Sequence, residues 1–314
     1  MSSELPFRTL APWLRTTFGR PVHRIALDAG SSCPNRDGSK GKGGCTYCDV
    51  EGSGTGALKT GLELEEQLEA GLRRIARRDA DGGVIAYFQS YSNTYVDEAR
   101  LDEMLALLEP HLDPERPFPI VCVALATRPD TLPDAALARL SALARRVPVW
   151  VELGLEAADD EVLLAINRLH TVAEFEDAVA RSHAAGLGVV GHAILGLPGD
   201  GREGARRTAD AFARTGVMGV KVHQLMVLER TQMATQWKKG ELEVLDVDTY
   251  VDWLSDFVER LRPEQVLHRI TGDSPAEKLL APHFGVHKNA VRERVAAELT
   301  RRGTRQGARC ESVA

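Results

Sequence analysis

No run of apolar residues in this 314-residue chain approaches the ~20 needed to cross a bilayer, so a membrane-spanning helix is not expected. The first eight residues, Met1 to Arg8, lack the basic start, apolar core and small-residue cleavage site of a secretory signal, and a cytoplasmic protein is expected. No low-complexity tract or spelled-out internal repeat interrupts the chain. A large excess of either charge is lacking: the formal net charge is −6 and the pI is near 5.9. A long non-specific nucleic-acid footprint is therefore not indicated, and a local basic patch is left open. Cysteine is scarce too. Five are present, and an odd number in a chain of this length favours a reducing compartment over a disulfide framework.

What is present is concentrated in one loop. Cys33, Cys45 and Cys48 fall within sixteen residues, among glycines and turn formers, after a segment at Val22–Asp28 that reads as a short strand. Thiolates select zinc, copper(I) or iron–sulfur clusters. A closed zinc site wants four protein ligands, so three leave it one short unless a distant His completes it. A [4Fe–4S] cluster held by three cysteines keeps one iron open to an outside ligand, which suits catalysis more than electron relay. A set of unligated thiols is the plainest alternative. Arg36, Lys40 and Lys42, in the same loop, read either as solvated charges or as a face for an anionic partner.

Past the loop, apolar runs alternate with amphipathic segments at 84–88, 120–125, 148–155, 188–195 and 219–225, separated by helical patterns at 62–78, 97–109, 133–146, 159–185 and 202–215. The fourth helical stretch breaks near Asn167 to Thr171, where Thr171 and Glu174 spell a capping box. Six strand and helix repeats predict an α/β fold with parallel strands. An open, six-unit β/α barrel is the reading, with a doubly wound sheet as runner-up. Residues 1–21 read as an N-terminal extension, 22–235 as the barrel and 236–314 as a C-terminal α/β extension that packs on its side. The last dozen residues, with Cys310 as an exposed thiol, are expected to fray. Cys122, among Val and Ala, reads as a small core residue.

Cys33-x11-Cys45-x2-Cys48 after a strand, with Tyr47 before the last cysteine, resembles the radical S-adenosylmethionine (SAM) superfamily. Most members separate the first two cysteines by three residues; the long gap is similar to the YhcC/YtqA-like branch, related to the elongator-type and methylthiotransferase-type proteins. The resemblance runs from residue 22 to about 273 and rests on motifs in order. They are the cysteine spacing, the string Val-Trp-Val-Glu-Leu-Gly-Leu-Glu156, Ile-Asn-Arg-Leu-His-Thr171, and His-Ala-Ile-Leu-Gly-Leu-Pro-Gly199. It implies a partial barrel, a [4Fe–4S] cluster on the three cysteines, and SAM on the open iron. One electron then cleaves SAM to a 5′-deoxyadenosyl radical that takes a hydrogen atom from the substrate.

The same resemblance implies the cofactor contacts, Tyr47 beside the last cysteine among them. Gln89, Ser90 and Asn93, after the second strand, correspond to the shelf for the methionine amino group, with Phe-Gln-Ser-Tyr-Ser-Asn-Thr-Tyr95 in place of the commoner Gly-Gly-Glu string. Glu152 falls to the ribose or methionine moiety; as a carboxylate inside an apolar strand it must in any case be paired or at a pocket wall. Arg168 is assigned the methionine carboxylate, and Ile194 and Gly196 the adenine. His223 is a SAM-side or substrate-side group, and Met226 stands where the related string has a second His. Arg128, in Thr-Arg-Pro-Asp130, is expected near the pocket mouth. An electron donor such as flavodoxin or ferredoxin is implied. Relatives point to wobble-uridine modification in tRNA; a small metabolite or protein substrate, or a non-catalytic zinc module, are the alternatives.

Overall fold

The computed structural model describes residues 5–49, 61–79 and 81–311. Its centre is one parallel sheet whose strands follow chain order: β1 (Val22–Leu27), β2 (Gly83–Phe88), β3 (Ile120–Thr127), β4 (Val149–Glu156), β5 (Gly188–Leu195), β6 (Gly219–Gln224). The sheet curls into an open half-barrel. A doubly wound sheet would reverse its strand order at a switch point, and this one never does. β2 and β4 are buried along their whole length, which is why they read as apolar runs broken only by Glu152.

The crossover helices are α3 (Leu64–Ala76), α4 (Glu98–Ala106), α5 (Asp134–Ala144), α6 (Asp160–Ala165) with α7 (Val172–Ala184), and α8 (Gly201–Thr215). Two more come early: α1 (Leu10–Phe18), before β1, and the short α2 (Pro34–Asp37), inside the cysteine loop. The break between α6 and α7 is as read, and Thr171 and Glu174 do form a capping box. Leu68, Leu137, Phe175 and Phe212 carry the helix layer onto the outer sheet face.

Inside the curl, side chains alternate along each strand. Ile85, Cys122, Trp150 and Val190 make an apolar floor, and α1 closes it from below with Leu14 and with Trp13 against Trp150 at 5.7 Å between ring centroids. One alternation higher, Tyr87, Glu152 and His192 point into a cavity.

The C-terminal part does more than pack on the side. After β7 (Val227–Leu228), α9 (Gln232–Lys238) and α10 (Val247–Arg260), β8 (Val266–Arg269) joins β6 as a seventh parallel strand. A boundary at 235 therefore runs through one continuous sheet. The antiparallel pair of β7 with β9 (Leu279–Ala281) and the final α11 (Lys288–Arg301) complete the fold.

The tail departs from expectation. Gln306 is buried, its side chain donates to the carbonyls of Arg262 and Gln265 at 2.7 Å, and its backbone N–H donates to Pro6 O. Arg309 pairs with Glu259 at 2.8 Å. These bonds order the chain through residue 310, and Cys310 is half-buried, not exposed. Composition suggested fraying because these polar residues find their partners on distant segments.

Candidate active site

A cavity of about 540 Å³ opens at the carboxyl ends of the strands, and Cys33, Cys45 and Cys48 all stand on its wall. The loop that carries them is docked, not dangling. Cys33 precedes α2, with Pro34 at the first helical position. The buried Asn35 donates to the carbonyls of Asn167 and Arg168, at 2.6 and 3.1 Å. In return Asn167 donates to Gly44 O at 2.7 Å, and Thr46 N–H donates to Ile166 O at 3.0 Å. The sharp bend that makes this docking surface has Asn167 and Leu169 at φ of 54° and 61°. Gly41 lets Leu169 approach: a Cβ there would stand 2.6 Å from its methyl.

Cationic and amide donors face the thiols. Arg36 Nη2 donates to Cys48 Sγ at 3.2 Å, Asn35 Nδ2 to Cys45 Sγ at 3.6 Å, and Arg168 Nη1 to Cys45 Sγ at 3.9 Å. Burial, then the neighbouring Cys45, push the Cys48 thiol up to about 11 despite Arg36. Among the described residues no three His, Cys, Asp or Glu side chains converge on a single-ion site. A cluster of four irons differs, since each thiolate binds its own iron.

Of the expected contacts, Tyr47, Gln89, Ile194 and His223 line the cavity. Burial pulls His223 down to about 4, and its Nδ1 lies 3.0 Å from Gln224 O. Ser90 and Asn93 do not line it. Asn93 Nδ2 donates to Phe88 O, Ser90 O and Ala126 O at 2.9 to 3.2 Å, and Ser90 O also accepts from Ser31 Oγ. Both residues pin the turn after β2, and Tyr91 and Ser92 take their place on the wall. Gly196, at φ 91°, is likewise a turn: a Cβ there would press on Leu245 at 3.0 Å.

Arg168 is at the cavity, but most of its guanidinium is committed. Nη2 donates to Gly154 O at 2.8 Å and pairs with Glu156 at 3.4 Å, and Nε lies 3.0 Å from His170 Nε2. The parallel pair of donors that would grip a ligand carboxylate is not offered, and Nη1 points to Cys45. Glu152 is also consumed, by Lys221 and by His192 Nε2 at 3.0 Å. Lys221 Nζ reaches Tyr87 Oη at 3.3 Å as well. Burial pulls Lys221 down to about 7, against the raising field of Glu152.

Arg128 does line the cavity, as expected, but it is buried and its guanidinium is committed, donating to both oxygens of Asp130 at 2.8 Å and to Arg168 O at 2.7 Å. Lys40 is spent on the same carboxylate and on Glu174. Arg36, offered as part of a face for an anionic partner, turns inward to Cys48.

Sequence reasoning missed Lys221, His192 and Glu156. The rule that flagged Glu152, a charge within an apolar strand, applies equally to Lys221 in Gly-Val-Lys-Val-His-Gln224.

Residues 33–212 match the description "Radical SAM superfamily", and residues 217–301 match "Radical_SAM C-terminal domain". The Bacillus subtilis (strain 168) protein YtqA is 38% identical over 98% of this chain and 93% of its own length. More distantly, the tRNA uridine(34) acetyltransferase of Methanocaldococcus infernus is 28% identical over 61% of this chain and 36% of its own length. Among solved structures, the archaeal Methanocaldococcus infernus Elp3 with an N-terminal deletion superposes with a TM-score of 0.67 at 19% identity, over 91% of this chain and 64% of that one. That likeness speaks for the fold.

Proposed function

The chain belongs to the radical SAM superfamily, and from that premise we propose that it is an enzyme whose Cys33, Cys45 and Cys48 hold the family's [4Fe–4S] cluster while the strand-end cavity holds SAM. The observation that carries this reading is the placement of all three thiols on the cavity wall, with N–H donors aimed at two of them. Donors of that kind suit thiolate anions. When bound, the two groups supply a 5′-deoxyadenosyl radical that takes a hydrogen atom from a substrate carbon.

The chain's own part is binding, orientation and exclusion of water. Ile194 offers an apolar face suited to the adenine, and Tyr47, Gln89 and His223 complete the wall around SAM. Glu152 and Arg168 brace that wall through Lys221, His192 and Gly154 O. Ser90, Asn93 and Gly196 shape the turns that carry it. A one-electron donor of the flavodoxin or ferredoxin class serves the cluster, in the cytoplasm. No helix among the described residues is long and apolar enough to cross a membrane.

For the substrate we propose tRNA, with a wobble uridine as the modified base; the distant relative named for tRNA uridine(34) supports this. The net charge of −6 favours the second reading, a small metabolite or a protein. Nucleoside mass spectrometry of tRNA incubated with the reconstituted protein, SAM and reductant separates them. A new SAM-dependent nucleoside supports tRNA. Unaltered tRNA beside continued SAM cleavage removes tRNA and leaves the second class.

A further inference from the structure

Arg36 sits in a slot built for a guanidinium. Gly44, at φ 79°, forms one side, and a Cβ there would stand 3.2 Å from the guanidinium carbon and two of its nitrogens. The ring of Tyr91 forms the other, 5.7 Å from centroid to guanidinium carbon. Tyr91 reaches that position from a backbone at φ 59°, a left-handed conformation that a bulky residue adopts only when its surroundings enforce it. At the end of the slot Nη2 meets Cys48 Sγ at 3.2 Å and Cys48 O at 3.3 Å, and also donates to Asp49 O. A planar, permanently charged fork can lie along the glycine backbone and the aromatic ring while its edge donates at the end of the slot, a geometry that a point-charge ammonium does not reproduce.

We propose that Arg36 is a positioning residue that sets the reduction potential of the cluster on Cys33, Cys45 and Cys48 by donating its Nη2–H to the Cys48 sulfur; this rests on the cluster reading above. The step it acts on is the entry of one electron from a flavodoxin- or ferredoxin-class donor into the oxidised cluster. No bond breaks and no proton moves. The reduced cluster carries one more negative charge, part of it on the cysteine sulfurs. A cation and an N–H donor at that sulfur stabilise the reduced form more than the oxidised one, so Arg36 raises the potential. Asn35 and Arg168 act in the same sense on Cys45 from longer range, at 3.6 and 3.9 Å. The same guanidinium ties the loop end through two backbone carbonyls, so sulfur contact and loop position are coupled.

The test uses the full-length protein reconstituted anaerobically with iron and sulfide, in native form and as Arg36→Met and Arg36→Lys. Each is analysed for iron and titrated electrochemically with the reduced cluster read by electron paramagnetic resonance. With about four irons bound in each, Arg36→Met is expected to shift the reduced-to-oxidised ratio at fixed potential about tenfold toward oxidised, equivalent to about 59 mV for one electron. Arg36→Lys, which keeps the charge but not the fork, is expected to fall between. Equal potentials in all three loaded proteins overturn the proposal.

Should Arg36→Met not retain a cluster, the native protein is compared with Arg36→Lys. Exchange into D2O is expected to shift the iron–sulfur stretching bands more in the native protein than in Arg36→Lys, which loses the fork to Cys48 and keeps the longer donors Asn35 and Arg168 on Cys45. Equal shifts in the two proteins overturn the proposal. A native protein that takes up no iron–sulfur cluster at all defeats the earlier reading instead, and that result is distinct from either.

Discussion

Lys221 Nζ and Glu152 Oε2 form a direct ion pair inside the barrel, each side chain about 1–3% exposed, with Tyr87 Oη and His192 Nε2 at its two ends. Four strands contribute to this chain of contacts, and it forms the polar layer between the apolar floor and the cavity. Taking either charge out of water is expensive, and the pair is tolerated because each charge meets the other plus a further hydrogen bond. Glu152→Leu strands the ammonium and is expected to cost about 3 to 5 kcal/mol by denaturant unfolding. Glu152→Leu with Lys221→Met together should cost clearly less than the single change. A double variant at least as unstable as the single one would contradict the pairing.

The buried histidines set a direction for acid stability. Burial pulls His170 to about 3, His223 to about 4 and His268 to about 3, against about 6.5 in an unfolded chain. Their folded values are depressed, so between pH 6.5 and 4 the unfolded chain binds protons that the native one does not. Stability from this source is present above pH 6.5 and is lost as pH falls. Asp200, raised to about 6 by burial, opposes with one proton in part of the window. A net of roughly two protons gives a loss of about 3 kcal/mol per pH unit near pH 5. Urea midpoints measured from pH 7 to 4.5 check this, and a flat profile would contradict the burial of these imidazoles.

The strand and helix order was legible because parallel strands buried on both faces and their amphipathic crossovers leave distinct periods in the sequence. The seventh strand, β8, fell within the expected C-terminal extension, because a four-residue run carries no mark of which sheet it joins. Within the site, the thiols, Tyr47, Gln89, Ile194 and His223 were legible from spacing and motif. What pattern does not encode is whether a polar group is already satisfied. Asn93, Glu152, Arg168 and Lys40 all find partners more than thirty residues away in sequence, and that pairing decides which of them still faces the cavity.

Asn93 supplies a test of that distinction. It holds the turn after β2 by its two amide N–H groups, shared among three carbonyls, and does not line the cavity. Asn93→Ala leaves buried carbonyls short of donors and is expected to lower stability by about 1 to 3 kcal/mol. Gln89→Ala, on the cavity wall, is expected to weaken SAM binding with little change in melting temperature. Calorimetry of SAM binding beside thermal unfolding of both variants reads the two effects; the reverse assignment would contradict the placement.

The cysteine loop offers RNA less charge than its composition suggests. Lys40 is committed to Asp130 and Glu174, while Lys42 is exposed. If tRNA contacts this loop, Lys42→Glu is expected to weaken tRNA binding and to reduce the salt slope by about one ion. Lys40→Glu is expected to lower stability first, through repulsion with Asp130. Binding unchanged in Lys42→Glu across salt concentrations would remove this loop from the RNA contact.

The central claim, a cluster on three cysteines that serves SAM cleavage, is tested most directly by one assay. The protein is reconstituted anaerobically with iron and sulfide, reduced with dithionite and incubated with SAM, and 5′-deoxyadenosine is measured by mass spectrometry beside a Cys33, Cys45, Cys48→Ala triple variant. The account predicts about four irons per chain, with deoxyadenosine from the native protein and none from the variant. Tightly bound zinc with no deoxyadenosine, or equal deoxyadenosine from both proteins, would contradict it.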